Sequence, residues 1–281
     1  MPRNQGRAGR MRRGWLWSRP AGDAIVAAMK LGKHTRAIVV GASSGIGASL
    51  VEALVARGAR VAALGRREAE LRALEARLRP ACEASGARLV VRAHDASRTE
   101  EVAPLFEELF EALSGVDLVI YAAAIMPKTA PDEYDTVRDL EQLSVNVGGC
   151  IAWGNAAARL FASQRGGTLV GISSIAGERG RKGNPVYGAT KAALNHYLEA
   201  LRNRLSERGA HVVTIKPGFV ATRMTAGMDD PLWLIGSDEA ARMILAAVEA
   251  RANERFVPRR WALVAFVIRN IPSFLFKRLS I

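Results

Sequence analysis

At 281 residues, with 49% hydrophobic and 24% charged positions, the chain suits one well-buried domain of α/β size rather than two. Lysine and arginine total 40 against 27 acids, a formal charge of +13. No recognised nucleic-acid module and no run of aromatics among the basic residues accompany that charge, so nucleic acid is not the expected partner.

Part of the basic excess is local, because residues 1–28 hold Arg3, Arg7, Arg10, Arg12, Arg13 and Arg19 against the single acid Asp23. Arg12-Arg13 imitates an export signal, but Arg19 and Asp23 interrupt any apolar core that would follow. Residues 1–33 therefore read as a basic, disordered arm, with Met29 the expected natural start. The run Arg36 to Val40 is β-branched and leads into GASSGIG, Gly41 to Gly47, after which Ile46, Leu50, Leu54 and Val55 form a helical stripe. Strand, glycine turn and helix in that order form a phosphate cradle. Gly41 permits the tight turn, Gly45 lets the backbone approach a pyrophosphate, and Gly47 allows close packing of helix on strand. The free amides at the helix start, in the turn that also holds Ser43, Ser44 and Ile46, bind anions.

The next strand, Arg60 to Leu64, ends in Gly65-Arg66-Arg67. A carboxylate there would bind the free 2′-hydroxyl of NAD, whereas Arg66 suits the 2′-phosphate of NADP(H), leaving NAD(H) as the second choice. The other reading makes Arg66 and Arg67 a solvated helix start. Glu68 to Arg79 reads as a helix with Leu71, Leu74 and Leu78 inward and the ion pairs Glu68/Arg72 and Glu75/Arg79 outward. After a strand at Arg88 to Ala93, Asp95 either meets the adenine amino group or caps a helix starting near Thr99. Cys82 and Cys150 lie in apolar helical patterns without metal-type spacing, which marks buried free thiols in a reducing, cytoplasmic setting. A helix over Val102 to Leu113 and a strand from Asp117 to Tyr121 precede Ala122, Ala123 and Ala124, small residues beside which a cofactor can lie. Residues 137–164 read as one long helix carrying Leu140, Leu143, Val147 and Ile151. Asn146 on that face is either a satisfied buried amide or a link through a main-chain carbonyl and a water to Lys191.

The apolar run Thr168 to Ile172 ends just before Ser174, and Tyr187 and Lys191 follow four residues apart in a helix beginning near Pro185. That spacing puts phenol and ammonium on one face, one turn apart, where the ammonium is expected to lower the phenol pKa into a usable range. Ser174, across a cleft, would hold a carbonyl oxygen, and the set fits ketone reduction. The helix runs through Leu194, Leu198, Leu201 and Leu205, and a strand at His211 to Ile215 ends in Pro217-Gly218. Strands and helices alternate from residue 36 to 215, which predicts an α/β, Rossmann-type, doubly wound parallel sheet with helices on both faces in a single domain, residues 34–258.

Thr222 to Ile235, with Met224, Met228, Leu232, Trp233 and Leu234, reads either as a lid over an apolar substrate or as ordinary core packing. Residues 259–281 combine short apolar runs with Arg259, Arg260, Arg269, Lys277 and Arg278 and no acid. Their longest uncharged run is too short to span a bilayer. Three uses stay open: peripheral contact with the inner face of an anionic membrane, a subunit interface, or a strap across the substrate pocket.

GASSGIG, Asn146, Ser174, Tyr187, Lys191 and Pro217-Gly218 followed by Thr222, in this order and spacing, resemble the short-chain dehydrogenase/reductase family over about residues 34–257. The resemblance implies that Tyr187 donates the proton, Ser174 orients the carbonyl and Lys191 binds the nicotinamide ribose while depressing the tyrosine pKa. It further implies that Asn146 holds a relay water, that Thr222 contacts the carboxamide, and that homodimers or homotetramers form through the helices bearing Asn146 and Tyr187. Two departures stand out: Val40 where the family has threonine, and Tyr121-Ala122-Ala123-Ala124 where it has Asn-Asn-Ala-Gly. The expected function is NADPH-dependent interconversion of a ketone or aldehyde and an alcohol, with an apolar or lipid-like substrate. A small soluble carbonyl or sugar is the second substrate class, and an NADP(H)-sensing binding protein without turnover is the rival.

Overall fold

β1 (Arg36–Val40) alternates its side chains between two cores. Ala37 and Val39 face one and Ile38 and Val40 the other, as a strand covered on both faces requires. In the computed structural model, which describes residues 29–279 apart from residue 131, this strand is central to a seven-stranded sheet. β2 (Arg60–Gly65) and β3 (Arg88–Ala93) flank it on one side. On the other side come β4 (Leu118–Tyr121), β5 (Thr168–Ile172), β6 (His211–Pro217) and β7 (Glu254–Val257). All neighbours pair in parallel in the order β3-β2-β1-β4-β5-β6-β7. The order reverses between β1 and β4, and a crevice opens at the carboxyl ends of strands at such a switch point.

On one face α1 (Gly45–Ala56), α2 (Glu68–Ser85) and a later helix, Ser237–Glu249, bury Leu50, Leu54, Leu71, Leu74, Ile244 and Leu245. The other face is covered by α3 (Val102–Leu113), by α4 (Thr136–Leu143) running into α5 (Cys150–Gln164), and by α6 (Pro185–Leu205), with Phe106, Trp153, Phe161, Leu194 and Leu198 at its centre. The Ser237–Glu249 helix is α7, and α8 (Trp261–Asn270) and α9 (Ser273–Phe276) close the chain. The expected doubly wound sheet in one domain is therefore present.

Four local expectations change. The helix read as ending at Arg79 continues through Pro80 to Ser85 and stops at left-handed Gly86, because exposed Pro80 leaves the carbonyl one turn back to water rather than to the core. Within α2, Glu75 pairs with Arg72 at 3.1 Å rather than with Arg79. The single helix over 137–164 is α4 and α5 joined by a π-helical turn at Ser144–Gly149. Leu140, Leu143 and Ile151, expected inward, are 58%, 39% and 36% exposed. Periodicity marks an apolar face without saying what covers it.

The basic arginines of residues 1–28 lie outside the described residues. Packing reaches back to Leu31, which sits in the core and whose amide donates to Glu249, ahead of the expected domain start at residue 34. Cys150 is buried, and Cys82 is half-buried on α2.

Candidate active site

The turn between β1 and α1 shows why its glycines are there. Gly41 has φ of +91°, and a Cβ on it would come within 2.5 Å of the Ala123 nitrogen. A Cβ on Gly47 would stand 2.1 Å from the Gly41 carbonyl oxygen. Ser44, at the start of α1, makes no side-chain cap, and the first amides of a helix have no acceptor within it. The loop thus offers donors above a floor of small residues. It opens into a cleft of about 850 Å³ that also holds Ala122, Ala123, Asp95, Ser174, Tyr187, Lys191, Pro217, Gly218 and Thr222. Of the expected site residues, Gly41, Ser43, Ser44, Gly45, Ile46, Gly47 and Arg66 line it too, while Asn146 lies behind its wall.

Ser174 follows β5 and caps a short 3₁₀ turn, its hydroxyl accepting from the Ala176 amide at 3.1 Å. Tyr187 and Lys191 face the cleft from the first turns of α6, which starts at Pro185 where the missing N–H costs nothing. Burial pushes the Tyr187 phenol up to about 12, against the downward pull of the Ser174 hydroxyl and the Arg181 charge. The expected depression by Lys191 is therefore corrected. Lys191 is itself buried, with its pKa driven down to about 8, and its ammonium donates to the Ile172 carbonyl at 2.9 Å.

Asn146 sits in the π turn with its amide satisfied within the protein. Its oxygen accepts from the Ile125 N–H at 2.8 Å, and its nitrogen donates to the Ile125 carbonyl at 3.0 Å and the Thr190 hydroxyl at 3.1 Å. Thr190 in turn donates to the Tyr187 carbonyl at 2.8 Å. Asn146 thus makes the contacts of a satisfied buried amide, one of them to a main-chain carbonyl, and it ties the strand exit after β4 to α6. Tyr121, in place of a family asparagine, donates its buried phenol to the Val145 carbonyl beside Asn146. A side chain of different chemistry thus steadies the same strand end.

At the far end of the cleft Arg66 is 59% exposed, 3.9 Å from Asp95 and 3.8 Å from Glu141. Arg67 lies across the glycine turn, donating to the Ser43 hydroxyl at 2.8 Å and the Ser44 hydroxyl at 2.7 Å. Sequence reasoning singled out Arg66 for the phosphate and named Arg67 only in the reading that made both a solvated helix start, since a dipeptide does not say which side chain turns inward. Asp95 accepts from the amide and hydroxyl of Ser97 and does not cap the turn at Thr99, whose preceding residue is Arg98.

A family model for short chain dehydrogenases matches residues 35–232. The chain belongs to the short-chain dehydrogenase family. It is similar to an uncharacterized oxidoreductase of Myxococcus xanthus, 32% identical over 86% of this chain and 95% of the relative. It is also similar to carbonyl reductase family member 4 of Xenopus tropicalis, 32% identical over 75% of this chain and 90% of that protein. Among solved structures, a short chain dehydrogenase of Burkholderia cenocepacia in complex with NADP shares 28% identity with a TM-score of 0.71, over 80% of this chain and 95% of that one. As a short-chain dehydrogenase, the protein is an oxidoreductase that uses a nicotinamide cofactor on a small-molecule substrate.

The family-model match stops short of the C-terminal segment, which this short-chain dehydrogenase packs onto the turn after Ser174. The Glu178 side chain, four residues after Ser174, is fully buried between Lys216, at 2.8 Å, and Arg269 of α8. Arg179 donates to the carbonyls of Ile268 and Ile271 and stacks on Phe276 at 4.0 Å. Trp261 is buried against Phe219 and Trp233, and a Cβ on Gly218 would meet its Nε1 at 1.9 Å. The segment between Val220 and Ile235 is pinned where its ends pair, with Met224 and Met228 on the cleft. Leu232 and Leu234 are exposed, whereas Trp233 packs its ring on buried Trp261 and Ile235 lies in the core.

Sequence reasoning missed Arg67, Arg181 and Glu178. Arg181 lines the cleft from the loop between Ser174 and Tyr187. Its place between Ser174 and Tyr187 in the sequence was the signal available for it. Glu178 offered none, because its partners are remote in the chain.

Proposed function

We propose that this short-chain dehydrogenase is an NADPH-dependent reductase of ketones or aldehydes, able to run in reverse as an alcohol dehydrogenase. The observation that carries the reading is the shared cleft, in which Ser174, Tyr187 and Lys191 face the same space as the glycine turn. A phenol held at about 12 stays protonated at neutral pH and suits a donor. Ser174 would orient the carbonyl oxygen, Tyr187 would give it a proton as it gains negative charge, and Lys191 would bind ribose hydroxyls and steady the phenolate left behind. Asn146 would hold α6 in register through Thr190. The bound cofactor would supply the hydride.

Arg66, Arg67, Ser43 and Ser44 would hold the 2′-phosphate of NADP(H), since the end of β2 offers two guanidinium groups and no carboxylate directly after it. Met126, Phe219, Met224 and Met228 give the substrate side an apolar wall, which favours an apolar carbonyl over a sugar.

The outer face of α8 and α9 exposes Leu263, Phe266, Val267, Phe274 and Leu275 beside the basic residues of the segment. That combination supports peripheral contact with an anionic membrane. No helix of the described residues is long and apolar enough to cross one. Tyr134, Val137, Leu140 and Leu143, exposed before and along α4, favour a homo-oligomer through that face.

The test is NADPH oxidation by the purified protein on a panel of short ketones, sugars and long-chain ketones, with Tyr187→Phe as control. Turnover of the apolar ketones, lost in the variant while NADPH still binds, is expected. Cofactor binding without turnover on any carbonyl would overturn the reading in favour of a sensor.

A further inference from the structure

Five arginines line the cleft: Arg66, Arg67, Arg138, Arg181 and Arg223. Four have carboxylate partners. Arg66 lies near Asp95 and Glu141, Arg67 and Arg223 pair with Glu70, and Arg138 pairs with Glu133. Arg181 forms no ion pair with a carboxylate among the described residues, and the neighbouring Tyr187 phenol, protonated at neutral pH, gives it no counter-charge. It is half-buried on the loop that joins the Ser174 turn to α6, bracketed by Gly180 and Gly183. Burial lowers its pKa, yet a guanidinium keeps its charge at any physiological pH.

A cation withdrawn from water without a counter-charge is costly, and an anion entering the cleft would supply the missing partner through two parallel hydrogen bonds. The cofactor's phosphates have their own receptors elsewhere, at the start of α1 and beside Arg66 and Arg67. Arg181 belongs instead to the end of the cleft where Tyr187 and Ser174 face the substrate.

We propose that Arg181 anchors the substrate, so that the carbonyl compound reduced at Tyr187 carries an anionic oxygen group, a carboxylate or phosphate ester, docked on this guanidinium. The apolar part of the molecule then lies along Met126, Phe219, Met224 and Met228. The inference rests on the reductase reading and narrows it from an apolar carbonyl to an amphiphilic, anionic one.

The experiment compares a medium-chain methyl ketone with two counterparts of equal length, one ending in a carboxylate and one in a phosphate. Wild type, Arg181→Met and Arg181→Lys are measured. The wild type is expected to prefer one of the anionic ketones, and Arg181→Met to raise its KM roughly ten- to a hundredfold and erase the preference. Arg181→Lys should restore part of the preference, and NADPH affinity should be the same in all three. A wild type without preference, or equal losses on neutral and anionic ketones, would overturn the assignment. Should no ketone be turned over, calorimetric binding of decanoate to the NADPH-loaded protein decides the same contact. Binding that is lost in Arg181→Met supports it, and a wild type that does not bind decanoate refutes it.

Discussion

The Lys191 ammonium stands 5.4 Å from the centre of the Tyr187 ring, yet it gives its hydrogen bond to the Ile172 carbonyl rather than to the phenol. Each group is buried in its uncharged preference, and the two act on stability in opposite pH ranges. The Lys191 pKa is about 8 in the fold against an ordinary lysine value of 10.5. Between those values the unfolded chain keeps a proton that the folded chain has released, so this lysine's penalty is full below about 8 and fades as pH rises to 10.5. Tyr187 at about 12 against 10.0 works the other way, because the unfolded chain ionises first and stability falls above pH 10.0. Urea unfolding between about pH 7.5 and 9.5 should show wild type gaining stability relative to Lys191→Met. Parallel curves would refute the assignment.

Arg67 is the better placed of the two arginines at the end of β2, being bonded to both serines of the glycine turn. Arg67→Ala should weaken NADPH binding roughly ten- to a hundredfold with little effect on NADH. Arg66→Ala should do less, since Arg66 is mostly exposed. Fluorescence titration of both cofactors on both variants checks this, and a larger effect at Arg66 would reverse the order.

Removing the Asn146 side chain strands the N–H and carbonyl of Ile125 behind the cleft wall. Asn146→Ala should lose about 3 kcal/mol of stability, read by urea unfolding, and turnover should fall with it as α6 loses its tie through Thr190. A variant as stable as wild type would show that the clamp is dispensable.

Glu178 holds α8 to the turn after Ser174. Glu178→Leu leaves Lys216 with Glu254 alone and should cost about 3–5 kcal/mol. Truncation after residue 258 removes Trp261 from its place over Gly218 and Arg269 from Glu178. The shortened chain should therefore melt lower and bind NADPH more weakly. A truncated protein with unchanged melting temperature and affinity would mean that the segment is a detachable appendage.

Vesicle sedimentation addresses the outer face of the same segment. Full-length protein should pellet with phosphatidylserine-containing vesicles at low salt and remain in solution with neutral ones, and Phe266→Glu should abolish pelleting. Equal recovery with both vesicle types would remove the membrane reading.

The parts of the site legible in the sequence are those set by local spacing. A strand, a glycine turn and a helix lie within Arg36–Ala56, and Tyr187 and Lys191 share a face because they are one turn apart. What spacing does not encode is where a side chain turns and what covers a face. Arg66 and Arg67 look alike in sequence but differ in partners, and Leu140 keeps a helical period while facing outward. The π turn at Ser144–Gly149 arises where a longer helix must deliver Asn146 to Ile125, a contact made across the fold. Glu178 finds Lys216 and Arg269 only once β6 and α8 are in place.

Trp233 and Trp261 meet edge to face with ring centres 5.5 Å apart, one on the segment beside the cleft and the other on α8. The pair gives the protein an internal optical gauge. Displacement of the Val220–Ile235 segment separates the indoles, so the position of that segment can be followed by intrinsic emission without attaching a dye.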